Sequence, residues 1–226
     1  WVMEYYVGKD YSLGGITLLC KFDGQRVTMA SQIAGADETV SSLYSVKSEQ
    51  ATMLSFDTYN YLVHYFGQPQ GSMADDPNGT LGGDYEFVIS DATADRIELK
   101  GKKYGNRIVM KAFSADQTWK QYLTRIKKVE DDAFFYEYDL RMDGLYTGQM
   151  LRSNYTFIVT YYDEVGKVYQ KTVPFMFTTD GMRFHEPVTI DGQTMQNFVW
   201  KNEEISFVCT DEGATGVKMK GIYIDG

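Results

Sequence analysis

Two pairs of side chains in this sequence have the types and spacing that chemistry needs. Asp84 and Glu86 lie two residues apart, and Asn60 and His64 lie four apart. In a strand, alternation puts Asp84 and Glu86 on one face, and two acids facing each other across a cleft can hydrolyse a glycosidic bond. Most exposed strands carry such pairs, so the spacing alone selects nothing. Asn60 and His64 fall on the side of a short helical pattern away from Tyr59, Leu62, Val63 and Phe66. There an imidazole and an amide could hydrogen-bond a ligand at a barrel mouth. The plainer reading of His64 is a structural histidine tied to a loop carbonyl. Tyr59, Asn60, His64, Asp84 and Glu86 are the candidate ligand-binding residues, and no residue is given a catalytic role.

Other chemistries find less. The two histidines, His64 and His185, lie in different halves, so no histidine-based metal site is expected and no cofactor is implied. The acidic stretch from Asp75 to Asp84 has oxygen donors, but its spacing lacks the EF-hand order, and a solvated turn is the simpler account. There is no G-x-S-x-G elbow. Gly82-Gly83 precedes a strand rather than a helix, which rules out a phosphate-cradling loop. Cys20 and Cys209 sit among apolar strand residues as two buried thiols or as one long-range disulfide. Lys100, Lys102, Lys103 and Arg107 gather at a hairpin tip, as a soluble rim or as a surface for acidic partners or headgroups.

The elements that must position these groups are mostly strands. From Asp84 to Phe113, Tyr85, Phe87 and Ile89, then Ile97 and Leu99, then Ile108 and Met110 alternate with polar residues. This period of two predicts a three-stranded antiparallel meander with one dry face. Asp23-Gly24, Asp143-Gly144, Asp180-Gly181 and Asp191-Gly192 mark further hairpin turns. The period changes twice. Residues 57–66 form a helix with Asp57 as its cap. Residues 115–129 form another, with a Ser114–Gln117 capping box and a stripe of Trp119, Tyr122, Leu123 and Ile126. The fold class is therefore mainly β: antiparallel meanders forming two barrel- or sandwich-like units with two short helices. Residues 1–113 make the N-terminal unit; residues 114–226 supply a linking helix and the C-terminal unit.

Composition narrows the function. Of 226 residues, 43% are hydrophobic and 15% aromatic, enough for real cores. The net charge of −9 is spread over both halves, which disfavours nucleic-acid binding. No apolar run approaches the roughly 20 residues that span a bilayer. The 18 tyrosines, with Trp1 and Trp200, could offer stacking platforms for sugars, although core filling accounts for most of them.

The segments WVMEYY (1–6), GGITLLCKF (14–22), LSFDTYNYLVHYF (54–66), GGDYEF (82–87) and ELKGKK (98–103) resemble a family of Bacteroides surface lipoproteins known only as a domain of unknown function. Its layout is similar to calycin-type β-barrels. Members carry a lipoprotein signal and cysteine ahead of the tryptophan, so the resemblance implies an ordered core behind a lipid anchor. It implies an outer-membrane-anchored or periplasmic place in the cell envelope, with membrane contact only through that anchor.

Three functions follow as expectations. The first is a non-enzymatic envelope module that binds a glycan, a peptide or another envelope protein for nutrient uptake. The second is a calycin-like carrier of a small apolar ligand. The third is a carboxylate-based glycan hydrolase.

Overall fold

The computed structural model describes residues 1–48, 50–69 and 80–223. The chain divides into two compact units, Trp1–Thr124 and Arg125–Gly226. Each is a closed barrel of eight antiparallel strands that follow one another in chain order. In the first, β1 to β8 are Val2–Val7, Gly14–Asp23, Arg26–Ser31, Val40–Ser48, Thr52–Phe56, Glu86–Ala92, Arg96–Gly101 and Arg107–Lys111, and β8 closes on β1. In the second, β9 to β16 are Glu137–Met142, Leu145–Ser153, Thr156–Tyr162, Val168–Phe177, Gly181–Ile190, Gln193–Lys201, Ser206–Cys209 and Val217–Gly221, and β16 closes on β9. Closure removes the unpaired edges that an open meander of this length would expose. The alternatives of barrel and sandwich are thereby resolved as barrels.

Alternation explains the first core. Tyr5 pairs with Ile16 and Ile108, Cys20 with Met29, and Leu54 with Phe87, so opposed side chains turn inward together. All of these are almost fully buried. The outer side of β1 to β3 is also covered. Val2, Leu19, Ala30 and Leu123 form a cluster joined by Phe113, Trp119 and Tyr122. The predicted helical stripe is thus the lid that lets β2 bury both of its faces. In the second barrel Tyr138, Phe157, Phe175, Phe177, Phe184 and Phe207 are all enclosed, and Phe157 stacks on Phe175 with centroids 4.4 Å apart.

Both helices form, but their ends differ from the expected 57–66 and 115–129. α1 is Tyr61–His64, continued by a 3-10 turn over Tyr65–Gly67, and its cap is Asn60, whose Oδ1 accepts from the Leu62 amide at 3.1 Å. Asp57 does not cap it. Hydrogen bonds from Ser55 and Ser45, together with Lys47, hold its carboxyl below the usual range against the opposing effect of burial. α2 is Trp119–Asp132 and starts four residues late because Thr118 and Gln121 make the capping box. The Gln121 amide donates to the Thr118 hydroxyl at 3.2 Å, and the Thr118 amide donates to Gln121 Oε1 at 2.8 Å.

The turns divide similarly. Asp143-Gly144 and Asp191-Gly192 take positive φ at both residues, the twist that two-residue hairpins favour. Asp23 pairs with Arg26, so the first turn is Gly24-Gln25 rather than Asp23-Gly24, with positive φ at Gly24 alone. Gly181 lies within β13, where a Cβ would come 2.0 Å from the Phe198 carbonyl oxygen; close approach, not turning, explains that glycine.

Candidate functional site

The five residues singled out from the sequence do not form one site. Asn60 is fully buried, and its Nδ2 donates to Ser42 Oγ at 3.2 Å. His64 is tied to that same residue, its Nδ1 lying 3.1 Å from both the Asn60 amide and carbonyl. Its ring stacks on Tyr85 at 4.6 Å and meets the exposed Tyr59, whose hydroxyl accepts from Gln68 at 2.7 Å. Asp84 precedes β6, and it is buried. Oδ1 accepts from the Lys103 and Tyr104 amides, and Oδ2 from the Asn106 amide and side chain, at 2.7 to 3.0 Å. The carboxylate pins the β7–β8 hairpin, and at Gly101 any Cβ would collide with it. Glu86, on the surface, pairs with Lys102 at 3.2 Å. Asp84 and Glu86 therefore do not share an open face: one has both oxygens occupied inside the fold, the other meets solvent.

Asp75 to Gly79 of the acidic stretch lie outside the described residues. Cys20 and Cys209 are free, buried thiols, and burial pushes the Cys209 pKa up to about 11. His185 Nε2 lies 3.7 Å from Glu186. Among the described residues no group of three or more His, Cys, Asp or Glu is placed to hold a metal ion. No helix among them is long and apolar enough to cross a membrane. A groove of about 480 Å³ runs over Gly24, Leu43, Tyr44, Val46 and Asp57, and Lys47 lies 3.6 Å from its one carboxylate.

A different constellation brings charge and aromatic surface together. After α2, Ala133 is buried and Phe134, Phe135 and Tyr136 lead into β9. Extended backbone alternates their directions. Phe135 packs on Tyr138, Trp200 and Tyr223, with centroids 5.1 to 6.2 Å away, and lies against Gly221, where a Cβ would come within 2.7 Å of its ring. Phe134 and Tyr136 turn outward, 77% and 61% exposed. The β10–β11 hairpin stands beside them, held by the Arg152 amide donating to the Tyr136 carbonyl at 2.8 Å. With Glu130, Asn154 and Tyr155 these residues line a cleft of about 380 Å³, at the lower end of the size of small-molecule sites.

Arg152 organises the cleft, with a side chain only 10% exposed. Its guanidinium lies 5.1 Å from the Phe177 ring and 5.3 Å from the Phe134 ring, with Tyr155 and Phe175 at 6.0 Å. Cation–π contacts of this kind are worth about 0.5–2 kcal/mol each. Nε donates to the Asn154 carbonyl at 3.0 Å, and Nη2 lies 3.6 Å from Glu130 Oε1. Nη1 is enclosed and has no acceptor among the described residues. Glu130 Oε1 also accepts from the Tyr155 hydroxyl at 2.8 Å.

Two phenols border the guanidinium, and both resist ionisation. Burial, then the charge of Glu130, raises the Tyr155 pKa, with Arg152 opposing. Burial pushes Tyr138 up to about 12, again against Arg152, while its hydroxyl donates to the Ala133 carbonyl at 2.5 Å. Neither supplies a nucleophile near neutrality. The cleft offers fixed hydrogen-bonding groups and exposed ring faces, which suits binding. Sequence reading missed it because Phe134-Phe135-Tyr136 passes for the start of a strand and Arg152 for an ordinary strand residue. A run of three aromatics directly after a helix was the available signal.

The fold and this cleft define an all-β protein of two eight-stranded up-and-down barrels with a small polar–aromatic site on the second. The chain belongs to the family described as a domain of unknown function, DUF4302, whose model matches residues 1–202. No curated protein sequence matches it. Among solved structures it aligns with one described as a DNA polymerase III beta subunit from Eubacterium rectale. That match has 8% identity and a TM-score of 0.17, and covers 97% of this chain and 56% of the other. A TM-score that low carries no argument about fold or function.

Proposed function

We propose that this chain is a non-enzymatic binding module of a cell-envelope lipoprotein, serving uptake of a nutrient held in the cleft beside Arg152. The observation that carries the reading is the cleft itself, about 380 Å³, with exposed aromatic faces and polar groups already fixed by their neighbours. Pre-set donors and acceptors lower the ordering cost of binding. The envelope location rests on the sequence resemblance to Bacteroides surface lipoproteins.

The interiors support a binding module over a carrier. Behind α1, Phe66 and Phe87 meet Tyr5 edge-on at 6.2 and 5.9 Å, and Phe56 meets Phe87 at 6.3 Å. Hydrocarbon occupies the space that an apolar ligand would need. The hydrolase reading loses its acid pair, since Asp84 is enclosed and fully bonded.

Glycan and peptide arrays probed with the full chain test the proposal. Retention of at least one class, reduced by Phe134→Ala, is the expected result. Silence on both arrays, or turnover of a glycan abolished by changing one acid, would overturn it. Metabolic labelling with a fatty acid in the native host, followed by membrane fractionation, checks the anchor.

A further inference from the structure

The arrangement of charge in the cleft restricts what it can hold, and we infer that its ligand is a neutral saccharide of one or two rings. This rests on the binding reading above and names the ligand class of that same site.

A cationic ligand is disfavoured first. Aromatic walls beside a carboxylate would ordinarily suit an ammonium group. Here one face of the Phe134 ring is already taken by the Arg152 guanidinium, 5.3 Å from its centroid, and Tyr155 faces the same cation at 6.0 Å. A second cation would meet that charge at close range.

An anion fares no better. Binding a carboxylate or phosphate through arginine calls for two free parallel N–H donors. Arg152 has no such pair to give: Nε is bonded to the Asn154 carbonyl and Nη1 is sealed from solvent, which leaves only Nη2, 3.6 Å from Glu130. The Glu130 carboxylate on the same wall would repel an incoming anion, and it balances the one positive charge.

What remains open are the face of Phe134 turned away from Arg152, the ring of Tyr136, the second oxygen of Glu130 and the side chain of Asn154. Glu130 Oε1 takes both the Tyr155 hydroxyl and the Arg152 contact, which fixes the carboxylate and leaves Oε2 to accept. A sugar ring matches this set. Its axial C–H face packs on an aromatic ring, and its edge carries hydroxyls that donate to a carboxylate and exchange hydrogen bonds with an amide. An apolar ligand of the same size would leave Glu130 Oε2 and the Asn154 side chain without partners.

The test is saturation-transfer NMR and calorimetry on the full chain, with maltose, cellobiose and lactose as neutral probes, glucuronate as the anion and glucosamine at pH 6 as the cation. A short peptide library serves as the fourth probe. The expected result is binding of at least one neutral disaccharide, with affinity falling about tenfold or more in Phe134→Ala and in Tyr136→Ala. Glu130→Gln should weaken it by a smaller factor. Tyr136 is largely exposed, so the thermal midpoint of Tyr136→Ala should stay near that of the parent, which separates lost binding from lost fold; Phe134→Ala also gives up its contact with Arg152 and should lower the midpoint slightly. Preferential binding of glucuronate or glucosamine, or neutral binding unchanged in both aromatic variants, overturns the saccharide assignment. Peptide binding that is lost in Phe134→Ala, with no sugar bound, overturns it while sparing the binding-module reading. Silence from all four probe classes overturns both.

Discussion

Each barrel encloses a tyrosine from its own first strand, and the two are secured by different chemistry. In the first, the Tyr5 hydroxyl donates to the Asp84 carbonyl at 2.8 Å and accepts from the Asp84 amide at 2.7 Å, with Phe66 and Phe87 against its ring. In the second, the Tyr138 hydroxyl donates to the Ala133 carbonyl, and the Phe135 main chain and the Arg152 guanidinium also reach it. A hydrocarbon surround in which the Tyr5 hydroxyl and both Asp84 oxygens are bonded keeps those groups from a ligand. A cation packed among rings must keep its carboxylate and carbonyl partners close by, and those partners line the open cleft. The difference explains why two barrels of the same strand order present such different surfaces.

Five single substitutions would break or sharpen that contrast. The largest effect is expected in the first barrel from Asp84→Ala, which strips four donors of their acceptor inside the fold. A loss of about 4 kcal/mol in urea unfolding is expected, and a loss under about 1 kcal/mol would mean that the hairpin is held otherwise. In the second barrel, Arg152→Met should cost about 2 kcal/mol, because Glu130 then keeps only Tyr155 as a partner. The double variant with Glu130→Gln should recover part of that. A stabilised single variant would remove the charged seal from the comparison.

The two tyrosines can be set directly against each other. Tyr5→Phe leaves an amide and a carbonyl unpaired, whereas after Tyr138→Phe the Ala133 carbonyl still accepts from the Phe135 amide, so losses of about 2 and about 1 kcal/mol are expected. Equal losses would show that the second hydrogen bond of Tyr5 adds nothing. The smallest effect concerns pH. At Asp211, burial alone would raise the carboxyl pKa. Bonds from the Asn197 side chain and amide, the Gln196 amide and the Cys209 thiol outweigh it and lower the pKa. The folded value lies below the unfolded one, so the stabilisation is present above about pH 4 and fades as the pH falls through the folded value. Asp211→Asn should flatten the acid limb of a stability–pH profile, while the profile near neutrality keeps its shape.

Local pattern reached some of this directly. Alternation of Ile97 and Leu99 with charged neighbours sufficed for a half-buried strand, and Asp143-Gly144 for a hairpin, because both signals act within a few residues. Helix ends were less legible. Ser114–Gln117 and Thr118–Gln121 both fit a capping box, and only the packing of Trp119 and Leu123 against Val2 and Leu19 selects the second. The carboxylate pair failed for a related reason: spacing gives the face of an ideal strand, but Asp84 lies just before β6, where the chain turns it inward to meet the 103–106 main chain.

By itself, then, the sequence determined strand periodicity, the two helical stripes, even charge and the absence of a nucleophile motif, since each is written in neighbouring residues. Tertiary structure alone decided that the meanders close into barrels, that Asp84 is a staple, and that Glu130, Phe134, Tyr136 and Arg152 share a wall. Those outcomes depend on contacts between residues up to 20 or more positions apart in the chain, such as Asp84 and Asn106 or Glu130 and Tyr155. No local periodicity encodes a long-range contact; it is fixed when the strands pair and the core packs.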